Sequence, residues 1–129
     1  KMTYTINGKP YTEFDINKRC AEILAWESEP HVKSVEFDRH NCFWVEHVGF
    51  SAFPVEHYLN NPADTWPIIE KCWDHLNKFV DIDGDVVTHE TFGEWEFEPV
   101  LSKWNYIMNN HKCTKLVAAC ICFIEENEA

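Results

Sequence analysis

The sequence predicts an α+β protein in which about three helices pack on a small, mostly antiparallel sheet. Turn pairs such as Asn7-Gly8 and Asp83-Gly84, flanked by short alternating segments, predict antiparallel hairpins. Longer segments with apolar residues three and four positions apart predict amphipathic helices. The chain has 129 residues. No repeat, linker or low-complexity segment divides it, so we expect a single domain over residues 1–129.

The first predicted elements are a hairpin and a helix. Thr3 to Ile6 and Lys9 to Thr12 flank Asn7-Gly8, the preferred pair for a type I′ turn. Thr12 followed by Asp15 resembles a capping box that begins a helix. We expect this helix to run to about Trp26, with a buried face formed by Ile16, Cys20, Ile23 and Leu24.

Two strands are predicted in the next part of the chain. Val32 to Asp38 and Cys42 to Val48 each alternate between apolar and polar residues, although the first does so imperfectly. The following residues, Gly49 to Tyr58, are less regular. Pro54 has no N–H for a sheet ladder, so we expect an edge strand or a loop there.

The most distinctive stretch runs from Asn60 to Trp73 and predicts a turn followed by a helix. Asn61 precedes a proline and is therefore disfavoured in helical conformation. We expect Asp64 or Thr65 to cap the helix and Pro67 to lie in its first turn. The helix is predicted to end near Phe79, and its buried face to comprise Ile69, Cys72, Trp73, Leu76 and Phe79.

The last third of the chain predicts a hairpin and two helices. Val80 to Thr91 is strand-like around Asp83-Gly84, and Glu94 to Glu98 alternates strictly, with three carboxylates on one face. Leu101 to Met108 is expected to form a short helix. Asn109 or Asn110 is then expected to cap a last helix whose buried side is Cys113, Leu116, Val117, Cys120, Ile121 and Ile124. The acidic end, from Glu125 to Glu128, opposes the helix dipole and is expected to fray.

The charge and the cysteines narrow the class of protein. The chain carries 22 acidic and 11 basic residues, a formal net charge of −11. Direct binding to a nucleic-acid duplex is therefore disfavoured, whereas a basic partner or imitation of nucleic acid is favoured. No apolar run approaches the roughly 20 residues of a membrane span, and no signal peptide opens the chain. We therefore expect a cytoplasmic protein with reduced cysteines, and we expect Lys1 to be a remnant ahead of a natural start at Met2.

No motif predicts catalysis, a metal or a cofactor. The His and Cys residues lack the paired spacing of a zinc site. A calcium loop that begins at Asp81 would place Val86 and Phe92 where Gly and Glu are needed. With four glycines in the chain, there is no Gly-rich loop for phosphate. We therefore predict a protein that is not an enzyme.

Binding residues are better represented. Aromatic residues make up 15% of the chain, including six tryptophans, which favours a large aromatic core, a pocket or an interface. In a nucleotide pocket, rings stack on the base, amides read its edges and cations meet phosphate. The candidate site residues are Trp66, Trp44, Trp26, Lys18, Arg19, Arg39, Asn60, Asn61 and Asp64. The ordinary alternative assigns the tryptophans to the core and the cations to a solvated surface.

Three segments carry a family resemblance. Phe14 to Glu22 (FDINKRCAE) resembles the opening of the small NinX-like phage proteins, Asn60 to Ile69 (NNPADTWPII) is similar to their central motif, and Lys115 to Cys120 (KLVAAC) resembles their end. The resemblance implies a phage or prophage origin and work in the bacterial cytoplasm. Small accessory phage proteins commonly counter host defence, by sequestering a nucleotide messenger or by occluding an effector.

The leading hypothesis is a non-enzymatic anti-defence protein that sequesters a cyclic dinucleotide or a cyclic ADP-ribose signal. Trp66, Trp44 or Trp26 would stack on the base, and Lys18, Arg19 or Arg39 would meet phosphate. The ribose or base edges would be read by Asn60, Asn61 and Asp64. Such sites often lie between subunits, so a homo-oligomer is expected. The alternative is an acidic interaction protein that inhibits a host protein by occlusion or nucleic-acid mimicry, and the third hypothesis is a small hydrolase acting on a nucleotide.

Overall fold

The computed structural model describes the backbone of residues 3–28, 34–37, 42–47, 49–54, 57–87 and 100–128, and the side chains of residues 3–24, 57–87 and 100–128. The described elements confirm the α+β class. In order they are β1 (Thr3–Ile6), β2 (Lys9–Thr12), α1 (Glu13–Ser28), β3 (Ser34–Phe37), β4 (Cys42–His47), β5 (Gly49–Pro54), α2 (Pro62–Leu76), β6 (Phe79–Val80), β7 (Leu101–Ser102), α3 (Lys103–His111) and α4 (Lys115–Glu128). The predicted strand from Glu94 to Glu98 lies outside the described residues.

The β1–β2 hairpin and the start of α1 form as predicted. Asn7 and Gly8 have φ values of 51° and 81°, the left-handed pair of a type I′ turn. Thr12 N donates to Asp15 Oδ2 at 2.9 Å, and Asp15 N donates to Thr12 Oγ1 at 3.1 Å. This reciprocal pair is the predicted capping box. The helix continues to Ser28, two residues beyond the predicted end.

The described strands form three small antiparallel sheets rather than one. β1 pairs with β2, β4 lies between β3 and β5, and β6 pairs with β7. Of the two structures expected for the residues after Val48, an edge strand is the one that forms. Pro54 lies at the end of β5, paired with Cys42, where a missing N–H is tolerated.

The start of α2 differs from the prediction. Asn61, not Asp64 or Thr65, is the N-cap: its φ is −117°, and its side-chain oxygen accepts from Ala63 N at 3.1 Å. Pro62 therefore takes the first helical position, where a missing N–H costs nothing. Pro67 is the sixth residue of α2 and so lies beyond the first turn. Extended conformation before a proline is compatible with an N-cap, because the cap residue is itself not helical.

The buried face of α2 also differs from the prediction. It comprises Thr65, Ile68, Ile69, Cys72 and Leu76. Trp73 is 50% exposed, because it lies roughly 80° around the helix from the centre of this stripe. Phe79 is 54% exposed and belongs to β6, because the helix ends at Leu76.

The third helix begins and ends later than predicted. Leu101 pairs with Val80 in the sheet, and Ser102 Oγ caps α3 by accepting from Asn105 N at 3.2 Å. Asn109 and Asn110 lie inside α3 and cap nothing. Helix α3 ends at His111, and its C-cap Lys112 has a left-handed φ of 53° that stops the helix.

Helix α4 is the centre of the core. Every residue from Val117 to Ile124 is buried, and α1, α2 and α3 all pack against it. The predicted helical face is therefore too narrow, and Cys113 lies before the helix rather than on it. Thr114 Oγ1 accepts from Val117 N at 3.4 Å, near the start of α4. The described thiols are all free: Cys20, Cys72, Cys113, Cys120 and Cys122.

The acidic end of α4 stays helical through Glu128, so the predicted fraying is wrong. The Glu128 carboxylate accepts from Tyr11 Oη at 2.7 Å and from Arg19 Nε. These contacts tie the end of α4 to β2 and α1. Partners from the tertiary structure thus offset the unfavourable dipole.

Candidate functional site

The outer face of α2 carries an open groove of roughly 400 Å³. It is lined by Trp66, Glu70, Trp73 and Asp74. Trp66 is 52% exposed, similar to Trp73. Two adjacent tryptophans that are each about half exposed are unusual, because tryptophan side chains are mostly buried on average and neighbouring exposed rings form an apolar patch. We treat this groove as the candidate site and refer to it as the α2 groove.

Helical geometry explains why the groove faces outwards. The buried stripe of α2 is centred on Thr65, and Trp66 lies roughly 100° from it. Glu70 and Asp74 lie farther round, at roughly 140° and 180°. Packing of the inner stripe on α4 therefore turns the four groove residues towards solvent as a set.

The α2 groove is negatively charged. Among the described residues, neither Glu70 nor Asp74 forms a salt bridge. They are one helical turn apart, so their carboxylates repel each other. A cation in the groove would relieve that repulsion, whereas a phosphate would add to it.

Trp73 links the groove to a second ring. It meets Trp104 of α3 edge-on, with ring centroids 6.3 Å apart and an interplanar angle of 88°. Trp104 is buried, and its Nε1 donates to Lys115 O at 2.9 Å. The Lys115 ammonium lies 4.7 Å from the centroid of the Trp104 ring. One side of Trp73 is thus fixed by packing, while the remainder lies in the groove.

The turn before α2 is held by hydrogen bonds. Asn61 caps the helix, and Asp64 Oδ2 accepts from His57 N at 2.9 Å. The buried Thr65 hydroxyl reaches two carbonyls, at 2.5 Å from Tyr58 O and 2.9 Å from Asn61 O. The side chains of Asn61 and Asp64 therefore have structural roles, whether or not they also touch a ligand.

Of the other candidates in this turn, Asn60 is exposed and adjoins the cap. The turn also reaches α1, because Tyr58 N donates to Asn17 Oδ1 at 2.9 Å.

The two predicted cations that the structure describes, Lys18 and Arg19, do not line the α2 groove. Arg19 binds Glu128 through Nε and lies 3.8 Å from Glu22 through Nη1. Its charge is therefore neutralised at the end of α4. Lys18 is partly buried on α1. None of the described residues that line the groove is basic.

Three further candidates lie wholly or partly outside the described residues. Arg39 is not described. Trp26 belongs to α1 and Trp44 to β4, where it pairs with Glu36 and Ala52, but their side chains are outside the described set. Their predicted roles stay predictions.

Sequence reasoning missed three of the four groove residues. The apolar spacing predicts Trp73 on the buried face, and it does not single out Glu70 or Asp74. A usable signal was present: Trp66, Glu70, Trp73 and Asp74 follow the spacing i, i+4, i+7, i+8. Residues at that spacing share one face of a helix, just as the apolar residues of the buried stripe do.

The His and Cys side chains near α3 are not arranged for nucleophilic chemistry. Burial raises the pKa of the Cys113 thiol to about 11, so it is protonated at neutral pH. Burial, followed by the charge of Lys103, lowers the pKa of His111. His111 packs instead against the Tyr4 ring, with centroids 6.1 Å apart. In the described part of the chain, no three His, Cys, Asp or Glu residues are placed to hold a metal ion.

Two further findings concern membrane-spanning segments and similarity to known proteins. None of the described helices has the length and apolar character needed to span a membrane. Comparisons of the chain with protein-family models, with curated proteins and with solved structures found no match.

Proposed function

We propose that this chain is a non-enzymatic interaction protein that docks the α2 groove and its acidic surroundings onto a basic surface of a partner protein. The observation that carries the proposal is the groove itself, with two half-exposed tryptophans beside two carboxylates. Tryptophan is enriched among residues that dominate binding energy at protein interfaces. The net charge of −11 would guide a basic partner towards the chain.

The resemblance to NinX-like proteins makes a host protein of the infected bacterium the expected partner. In that setting the chain would act in the bacterial cytoplasm as an anti-defence factor that occludes a host surface. A protein surface that normally binds nucleic acid is rich in lysine and arginine. Carboxylates and exposed aromatic rings both attract such cations, so the α2 groove suits a surface of this kind.

The test is capture from bacterial lysate, followed by identification of the partner and titration with the purified partner. Wild type is compared with Trp66→Ala, which removes an exposed ring and should leave the fold intact. We expect a loss of about 2 kcal/mol in binding, or roughly thirtyfold, if Trp66 anchors the interface. We also expect affinity to fall steeply with salt.

The matched control is Phe14→Ala, because Phe14 is 56% exposed and lies on α1. It should bind the partner like wild type. Equal affinity of Trp66→Ala and wild type for the purified partner would contradict docking through this groove.

Sequestration of a nucleotide messenger is the second candidate. The exposed Trp66 ring, five residues after the N-cap Asn61, favours it, since rings stack on bases. The proposal requires cations from elsewhere, such as Arg39 or a second copy in a homo-oligomer, because Asp64 and Glu70 repel phosphate. Calorimetry with cyclic dinucleotides and cyclic ADP-ribose isomers tests it, and absence of heat with all of them would exclude it.

A further inference from the structure

We infer that the α2 groove binds an arginine side chain, with its guanidinium stacked on the Trp66 and Trp73 rings and paired with Glu70 or Asp74. This inference rests on the proposed docking function and names the chemistry that the groove would recognise. The occupant is an arginine in an exposed, basic segment of the partner protein.

The spacing of the rings is the first argument. Trp66 and Trp73 are seven residues apart on one helix, so their Cα atoms are separated by roughly 10 Å along the axis. Glu70 lies between them, about one helical turn from each. A cation that enters between the rings therefore comes close to a carboxylate that lines one side of the groove.

The second argument is charge. Glu70 and Asp74 repel each other one turn apart, and among the described residues no salt bridge offsets this repulsion. An incoming cation would interact with both carboxylates and with the negative faces of the indoles. The same negatively charged groups repel phosphate.

The third argument comes from the same aromatic cluster. Lys115 of this chain already places its ammonium over Trp104, 4.7 Å from the ring centroid. Trp104 contacts Trp73 edge-on, so the next ring outwards is Trp73. A ligand cation on Trp73 would extend an arrangement that the protein itself uses on Trp104.

Arginine suits the groove better than lysine. The guanidinium is flat, so it can stack on an indole and still direct two N–H groups at one carboxylate. An ammonium is a compact, strongly hydrated charge that does one of these at a time. The groove of roughly 400 Å³ is open enough for a flat group to enter from solvent.

The experiment uses three blocked pentapeptides, Gly-Gly-Xaa-Gly-Gly, in which Xaa is arginine, lysine or citrulline. Citrulline keeps the shape of arginine but has no charge. Each is titrated at millimolar concentration into ¹⁵N-labelled full chain, and the indole N–H resonances are followed by NMR. The resonances of Trp66 and Trp73 are assigned from Trp66→Ala and Trp73→Phe.

The expected result is a saturable shift of both indole resonances with the arginine peptide. Affinity for the lysine peptide should be at least about threefold lower, and the citrulline peptide should cause no saturable shift. A double variant, Glu70→Gln with Asp74→Asn, should weaken arginine binding roughly tenfold. The control double variant removes the same charges elsewhere, at Glu13→Gln with Asp83→Asn, and should bind like wild type.

The outcomes separate this inference from the proposed function. Equal shifts with the arginine and citrulline peptides, or equal affinities for arginine and lysine, would overturn the arginine site. Docking could still hold if Trp66→Ala weakens binding of the purified partner. Arginine selectivity that disappears in the Glu70 and Asp74 variant, but not in the control variant, supports the site.

Discussion

The contact between the end of α4 and the hairpin allows a sharp test of what stabilises the fold. Glu128 accepts hydrogen bonds from Tyr11 Oη at 2.7 Å and from Arg19 Nε, and its side chain is 16% exposed. The perturbation is Glu128→Gln, which keeps the shape but removes the charge. Both hydrogen bonds are weakened, because hydrogen bonds to a charged group are the stronger kind.

We expect Glu128→Gln to lower the free energy of unfolding by about 1–2 kcal/mol at pH 7. Each charged hydrogen bond can contribute more, but solvent reaches this end of the helix and screens the pair. Urea denaturation measures the change, provided that the slope with urea stays the same. Glu70→Gln is the control, since Glu70 is exposed and forms no salt bridge among the described residues. Relief of its repulsion with Asp74 should raise the stability by no more than about 0.5 kcal/mol.

The pH dependence of the free energy of unfolding provides a second test of the Glu128 contact. Burial would raise the pKa of Glu128, but the hydrogen bonds from Tyr11 and Arg19 and the charge of Arg19 hold it below its usual value of 4.5. The ionised form is therefore favoured by folding. Its contribution is complete above about pH 4.5 and is lost as the pH falls through the lowered folded value. The difference between wild type and Glu128→Gln should shrink at pH 3.

Tyr11 acts in the opposite direction. Burial, followed by the hydrogen bond to Glu128, raises the pKa of Tyr11 from 10.0 to about 12. Its contribution is complete below pH 10 and is lost between pH 10 and 12.

The result that would refute this account of the Glu128 contact is a Glu128→Gln variant that unfolds at the same urea concentration as wild type at pH 7.

Three further predictions concern local structure, each measured as the free energy of unfolding in urea. Asn61→Ala removes the N-cap of α2 and should cost about 1 kcal/mol, whereas Asn60→Ala should have little effect. Thr65→Val removes the single hydroxyl proton that the Tyr58 and Asn61 carbonyls share and should cost about 1–2 kcal/mol, so an unchanged stability would contradict the hydrogen bonds described. Gly84→Ala should cost about 2 kcal/mol or more, because Gly84 has a φ of 87° and a Cβ there would lie 2.7 Å from the Tyr106 ring; the double variant with Tyr106→Ala should recover the part due to the clash.

Some features follow from residues that are neighbours in the chain. Asn7-Gly8 has a strong preference for one turn type, and Thr12 and Asp15 satisfy each other across three residues, so both were predictable. The N-cap of α2 was harder to predict from the sequence, because Asn61, Asp64 and Thr65 are all residue types that favour the N-cap position. The choice depends on partners outside the helix: Asp64 binds His57 N, and the Thr65 hydroxyl binds Tyr58 O.

Within the described residues, the sequence by itself determined the α+β class, the first hairpin and the existence of the helices, because turn chemistry and apolar spacing act over a few residues. Only the tertiary structure decided that α4 is buried throughout, that Glu128 is held by Tyr11 and Arg19, and that α2 turns Trp66 and Trp73 outwards. Apolar spacing specifies a stripe, but its breadth and the rotation of the helix depend on how many neighbours pack against it. The α2 groove results from that rotation.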